Sequence, residues 1–119
     1  MKLAYVIGAR PNFVKMAPVI AELRRRLPDA THEVIHTGQH YDREMLEIFL
    51  QELDVPEPDH LLGVGSGTHS TQTARVMERL EPILERSQPD LLLVPGDVNS
   101  TLGASLVAAK LCVPIAHVE

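Results

Sequence analysis

The residues able to do chemistry gather in five short stretches. These are Gly8-Ala9-Arg10-Pro11-Asn12-Phe13-Val14-Lys15, Gly38-Gln39-His40, Gly63-Val64-Gly65-Ser66-Gly67, Gly96-Asp97-Val98-Asn99-Ser100-Thr101, and His117 with Glu119. Gly8 lets the backbone turn sharply. Arg10 and Lys15 then stand beside the amino end of a helix, where free N–H groups and the helix dipole favour an anion. A phosphate or diphosphate is the natural guest, and on residue types alone solvated loop charges are an equal reading. Asp97 and Glu119 are two carboxylates that one cleft could use for proton transfer. Asp97 could as well be a turn or capping residue ahead of Ser100-Thr101, and Glu119 a frayed end. His117 reads at least as well as a hydrogen-bonded structural histidine as it does a catalytic one.

Three tempting motifs fail. Neither Gly-x-x-x-x-Gly-Lys nor the full Gly-x-Gly-x-x-Gly is present, so Gly63 to Gly67 reads as turn flexibility and no cofactor is expected. His32-Glu33-Val34-Ile35-His36 matches His-Glu-x-x-His, which binds zinc only on a helix. The β-branched Val34 and Ile35 favour a strand, where the two imidazoles stand about 13 Å apart, and no metal site is expected.

Positioning these groups requires alternating strands and helices. Aliphatic and β-branched segments predict strands at Leu3 to Ile7, Glu33 to Thr37, the weak His60 to Leu62, Leu91 to Val94, and Pro114 to Val118. Helical character lies at Ala17 to Leu27, Arg43 to Leu53, Thr71 to Arg86, and Thr101 to Leu111. Met45, Leu46, Phe49, Leu50 and Leu53 repeat at helical steps behind Asp42 as a cap. Because Pro18 is tolerated in a first turn, the first helix is expected to begin near Ala17, with Gly8 to Met16 a shaped loop. Pro82 predicts a kink or division in the third helix. The fourth, small and apolar nearly all round, reads as buried between a sheet and another layer.

Such alternation implies an α/β fold with a parallel sheet, each crossover returning the chain to the same end. Ligands of open α/β sheets bind outside the carboxyl ends of the strands, where all five stretches fall. A five-stranded sheet ending at Glu119 reads as part of a larger domain whose last strand is uncovered.

With 119 residues the chain makes one domain at most, and 45% hydrophobic against 23% charged residues is ordinary globular composition. A net charge of −5, with Arg24-Arg25-Arg26 at the solvated end of a helix, argues against nucleic acid. The segment before Arg10 is too short for a signal-peptide core, and no apolar run approaches membrane-spanning length. A cytoplasmic protein is expected. Cys112, alone between Leu111 and Val113, excludes an internal disulfide and predicts a buried thiol.

Four motifs in order carry a resemblance over the whole chain: Gly-x-Arg-Pro-x-x-x-Lys-Met-Ala-Pro at 8–18, Thr-Gly-Gln-His-Tyr-Asp at 37–42, Gly-Asp-Val-Asn-Ser-Thr at 96–101, and Pro-x-Ala-His-Val-Glu at 114–119. Together they resemble the non-hydrolysing UDP-N-acetylglucosamine 2-epimerases. The resemblance implies a GT-B architecture of two Rossmann-like domains, with residues 1–119 an incomplete N-terminal domain with helices on both sheet faces and the C-terminal UDP-binding domain absent. It implies interconversion of UDP-N-acetylglucosamine and UDP-N-acetylmannosamine through 2-acetamidoglucal, in cell-surface polysaccharide biosynthesis, by a full-length homodimer.

By that resemblance Arg10 and Lys15 stabilise the leaving diphosphate and Asp97 and Glu119 handle protons. Gln39 and His40 match positions that bind a second, activating substrate molecule in bacterial members. An arginine completing that site is replaced around Thr71, so allosteric activation is not expected, and Asn12 stands where the family commonly has an acidic residue. A further catalytic glutamate, a histidine and the uridine-binding domain belong to the part beyond these residues, so the chain alone is expected to be inactive. Hydrolysing relatives typically carry Arg-Ala in place of Arg10-Pro11. A GT-B glycosyltransferase half-domain and a stand-alone nucleotide-sugar-binding or interaction module are the alternatives.

Overall fold

A computed structural model describes residues 1–8, 10–38, 51 and 57–119. Along the chain run β1 (Lys2–Ile7), α1 (Arg10–Arg26), β2 (Thr31–His36), β3 (His60–Leu61), α2 (His69–Ser87), β4 (Leu91–Pro95), α3 (Asn99–Lys110) and β5 (Ile115–Val118). The helix expected over Arg43 to Leu53 lies outside the described residues.

The strands form one sheet in the order β3-β2-β1-β4-β5, with every pairing parallel. This is the Rossmann order, in which the crossovers reverse direction between β1 and β4 and leave a crevice at their carboxyl ends. Alternation along β1 divides the core. Leu3, Tyr5 and Ile7 face α1 and bury Phe13, Met16, Ala17 and Ile20 with it. Ala4 and Val6 face the other side, packing with Leu80, Ile83 and Leu84 of α2 and Ala104, Val107 and Ala108 of α3. Helices therefore cover both faces, as expected.

Two helix expectations need correction, both for the same reason. The segment from Arg10 to Met16 is not a loop: α1 runs unbroken from Arg10 through Pro18 to Arg26. Likewise α2 runs as one helix from His69 to Ser87 with Pro82 inside it, so it is not divided there. A proline inside a helix costs roughly 3 kcal/mol through its missing N–H and its clash with the carbonyl four residues back. Here Pro18 and Val14 are both exposed, as are Pro82 and Glu78, so the orphaned carbonyls sit on helix faces that water reaches. Each fully buried large apolar side chain contributes about 1.5–3 kcal/mol, so Phe13, Met16 and Ile20 on α1, and Val76, Leu80 and Leu84 on α2, outweigh that cost.

The thiol expectation is also overturned, because Cys112 is exposed. The helix α3 ends in a Schellman motif, with Val113 N–H donating to the Ala108 carbonyl at 2.8 Å and Cys112 N–H to that of Ala109 at 3.2 Å. Closing these bonds puts Cys112 in the left-handed region, φ 60, and turns its side chain outward while Leu111 and Val113 pack on the core. The helix itself is not buried all round: Leu102 is 55% and Leu106 39% exposed.

The strand assignment of 32–36 holds. On β2, His32 bonds the Leu27 carbonyl through Nε2 at 3.0 Å, which fixes that nitrogen as the donor and leaves Nδ1 to accept from Tyr5 Oη at 2.8 Å. The Arg24-Arg25-Arg26 run is a solvated helix end, with Arg25 and Arg26 paired to exposed Glu22. Among the described residues no helix is long and apolar enough to cross a membrane.

Two outcomes follow. Replacing Cys112 by glycine, the residue suited to a left-handed helix terminus, should raise stability by up to about 1 kcal/mol in urea denaturation. Burial pushes the Tyr5 hydroxyl up to about 12, against a smaller opposing pull from Arg24. Because the folded value lies above the unfolded one of 10.0, the associated stability is complete below that pH and lost as pH rises toward 12. Alkaline unfolding curves should show this loss, and Tyr5→Phe should flatten it.

Candidate functional site

At the carboxyl edge of the sheet, the turn out of β1 is wedged between two other elements. A Cβ on Gly8 would stand 3.0 Å from Thr37 Oγ1 and 3.4 Å from Ser100 Oγ. Those hydroxyls bond each other at 3.0 Å, tying the end of β2 to the start of α3. The chain then enters α1, whose first turn carries no acidic residue, so its positive dipole end is uncompensated there.

A close approach across the β1–β4 crevice is made between that first turn and the turn after β4. Gly96 has φ +64, and a Cβ on it would meet Asn12 Oδ1 at 2.9 Å and Lys15 Nζ at 3.9 Å. Asn12 is 5% exposed. On its other side Gly96 is held by β5: its N–H donates to the Val118 carbonyl at 2.8 Å, and its carbonyl accepts from His117 Nε2 at 2.6 Å. Asp97 and Glu119 are the next residues after this Gly96–Val118 pair, and both are exposed.

The amino end of α3 borders the same edge. Its cap is Val98, which supplies no side-chain bond; the Thr101 N–H donates to the Val98 carbonyl at 3.0 Å, and the amides of Asn99 and Ser100 are left for solvent or a ligand. Thr101 Oγ1 bonds the Pro95 carbonyl and anchors the turn from below. Asn99 Nδ2 bonds Gln72 Oε1 at 2.8 Å and His69 Nδ1 at 3.0 Å, joining α3 to the start of α2. Gln72 Nε2 in turn reaches the Gly65 carbonyl at 3.1 Å, so the glycine-rich segment after β3 is tied to the same network.

Lys15, Asp97 and Glu119 thus lie along one edge, and Arg10 opens α1 there. Gln39 and His40 fall outside the described residues. Asp97 is not the helix cap, a place taken by Val98, and His117 is engaged with a backbone carbonyl. Among the described residues, no group of three or more His, Cys, Asp or Glu could hold a metal ion. Sequence reasoning overlooked Asn12 as a buried group. The signal was available: Asn12 precedes Met16 by four, so a helix begun at Arg10 puts it on the stripe of Phe13, Met16, Ala17 and Ile20. Chemically the edge combines a cation, two helix amino ends and two carboxylates, which suits an anionic ligand and proton transfer beside it.

The family model described as UDP-N-acetylglucosamine 2-epimerase matches residues 21–119. A UDP-N-acetylglucosamine 2-epimerase homolog of Methanococcus maripaludis is 49% identical over 119 residues, covering 100% of this chain and 32% of that protein. The UDP-2,3-diacetamido-2,3-dideoxy-D-glucuronate 2-epimerase of Pseudomonas aeruginosa is 43% identical, covering 100% and 33%. The crystal structure of Methanocaldococcus jannaschii UDP-GlcNAc 2-epimerase in complex with UDP-GlcNAc and UDP superposes with a TM-score of 0.90 at 41% identity, covering 100% and 32%. The chain spans about a third of the length of the curated relatives it matches.

A side chain at position 96 should be costly. Gly96→Ala adds a Cβ against Asn12 at a left-handed φ, and a loss of about 1–3 kcal/mol is expected in urea denaturation. The control Gly67→Ala, whose Cβ meets atoms only at 3.5 Å and beyond, should change stability little.

Proposed function

Because the chain belongs to the UDP-N-acetylglucosamine 2-epimerase family, we propose that it supplies one wall of a nucleotide-sugar 2-epimerase site. The observation that carries this reading is the approach of Lys15 Nζ to Gly96, 3.9 Å from its Cβ position, beside the Asp97 turn. In this reading the diphosphate of UDP-N-acetylglucosamine lies at the amino end of α1, with Arg10 and Lys15 as its counter-charges. One of Asp97 and Glu119 removes the proton from carbon 2 while the bond from carbon 1 to the diphosphate oxygen breaks. The C–H electron pair forms the C1=C2 double bond, UDP leaves with the C–O pair, and 2-acetamidoglucal remains. Re-addition of UDP with protonation on the opposite face gives UDP-N-acetylmannosamine.

Negative charge grows on the departing diphosphate, so donors aimed there act on the transition state, at roughly 3–4 kcal/mol for one well-placed group. Residues 1–119 form the N-terminal Rossmann-like part of a GT-B enzyme, and the domain that holds uridine lies in another region of the whole protein. The whole enzyme is a cytoplasmic homodimer. The Pseudomonas relative, 43% identical, favours a second reading in which the sugar is a 2,3-diacetamido uronate. Product analysis with both UDP-sugars separates the two.

Calorimetric titration of the purified 119-residue chain with UDP tests the binding role. Roughly micromolar binding is expected, weakened about tenfold or more in Lys15→Ala, with no epimerase turnover by the chain alone. Undetectable UDP binding, or turnover at the rate of a complete enzyme, would contradict the reading.

A further inference from the structure

Three side chains at the amino ends of α2 and α3 form a hydrogen-bonded relay. His69 and Gln72, three apart at the start of α2, share a helix face. The cap Thr68 fixes that turn, its hydroxyl accepting the Thr71 N–H at 3.1 Å and its carbonyl the Gln72 N–H at 2.9 Å. Asn99 opens α3 two residues after Asp97, and the close packing of the two helices at Gly103 brings it within reach of both side chains.

The sense of each bond is dictated by its neighbour. The Gly65 carbonyl can only accept, so the Gln72 atom 3.1 Å from it is the donor Nε2. Gln72 Oε1 then faces Asn99 at 2.8 Å, and because two amide oxygens do not bond, Asn99 presents Nδ2 there. That nitrogen carries two hydrogens. The second goes to His69 Nδ1 at 3.0 Å, which must accept it, so the hydrogen of the neutral ring is on Nε2. A hydrogen on Nδ1 would set donor against donor.

Joining the helices requires only the bond between Gln72 and Asn99. The bond to His69 is exposed, where water competes, and it adds little stability for the ring that it orders. What it does determine is which ring nitrogen remains to meet a ligand. The ring is bonded to the residue two after Asp97, at the carboxyl edge of the sheet.

We propose that Gln72 is a positioning residue: by orienting the Asn99 carboxamide it holds His69 as the Nε2–H tautomer, which offers a nucleotide sugar a neutral hydrogen-bond donor beside the Asp97 turn. The identity of the ligand rests on the nucleotide-sugar reading, whereas the tautomer is a property of the chain alone. A neutral donor suits a hydroxyl or carbonyl oxygen of the sugar.

Long-range ¹H–¹⁵N spectra of imidazole rings distinguish the two tautomers. With the ring neutral and no ligand present, His69, assigned by its loss in His69→Phe, should carry its hydrogen on Nε2. Asn99→Asp, which accepts where asparagine donates, should move that hydrogen to Nδ1. Gln72→Leu, which frees the Asn99 amide to turn over, should mix the tautomers and weaken UDP-N-acetylglucosamine binding about threefold or more. In the wild type the same ligand should shift His69 Nε2 saturably, together with the Gly96 backbone amide. A hydrogen on Nδ1 in the wild type, or an unchanged tautomer in Gln72→Leu, overturns the positioning role, and movement of Gly96 with a stationary His69 overturns the contact. If the variants do not fold, the wild-type tautomer and the ligand shift still decide. If the ligand moves no resonance, the nucleotide-sugar reading fails, and the tautomer measured without ligand still decides the role of Gln72.

Discussion

The carboxyl edge depends on the close approach of the Asn12 side chain to Gly96, whose Cβ position lies 2.9 Å from Asn12 Oδ1. Parallel order puts the ends of β1 and β4 side by side, but it does not determine how closely the segments leaving them approach. That distance is set by a residue with no Cβ, φ +64, lying against a buried carboxamide. From the opposite side His117 and Val118 hold the carbonyl and N–H of the same glycine. Gly96 is thus fixed between α1 and β5, and Asp97, one residue on, leaves from a backbone with little freedom. Preorganisation of this kind is what proton transfer and charge stabilisation require of a scaffold.

The remainder of the fold brings those parts to the edge and tolerates some irregularity in doing so. Both interior prolines lie on solvent-facing sides of their helices, so the sheet-facing stripes stay intact. The helices α2 and α3 approach closely at Gly103, where a Cβ would meet Val76 Cγ1 at 3.0 Å and the Thr73 carbonyl oxygen at 3.1 Å. That approach lets Asn99 reach His69 and Gln72 and joins two helix amino ends. The glycines of the 96–103 segment thus do different work, one opening a turn beside the crevice and the other admitting a neighbouring helix.

Much of this was legible in the residues. Aliphatic runs marked the strands among the described residues, most clearly β1 and β4, because a buried parallel strand needs an unbroken apolar run. The alternation gave a parallel sheet, and parallel sheets gather their loops at one end, which located Lys15, Asp97 and Glu119 together. The failures were local. Pro18 and Pro82 were read by propensity, whereas tertiary burial decided. Cys112 was read from its apolar neighbours, whereas a Schellman turn rotated it outward. Starting α1 too late also hid Asn12, since a residue assigned to a loop has no buried face to occupy.

The distance between Asn12 and Gly96 is the measurement that reaches the centre of the account. In a nuclear Overhauser spectrum of the ¹⁵N-labelled chain, the Asn12 Nδ2 protons should show cross-peaks to the Gly96 alpha protons. Their absence, with Asn12 Nδ2 instead showing cross-peaks to residues on the solvent face of α1 such as Val14 or Pro18, would mean that the first turn of α1 and the β4 turn do not meet as described.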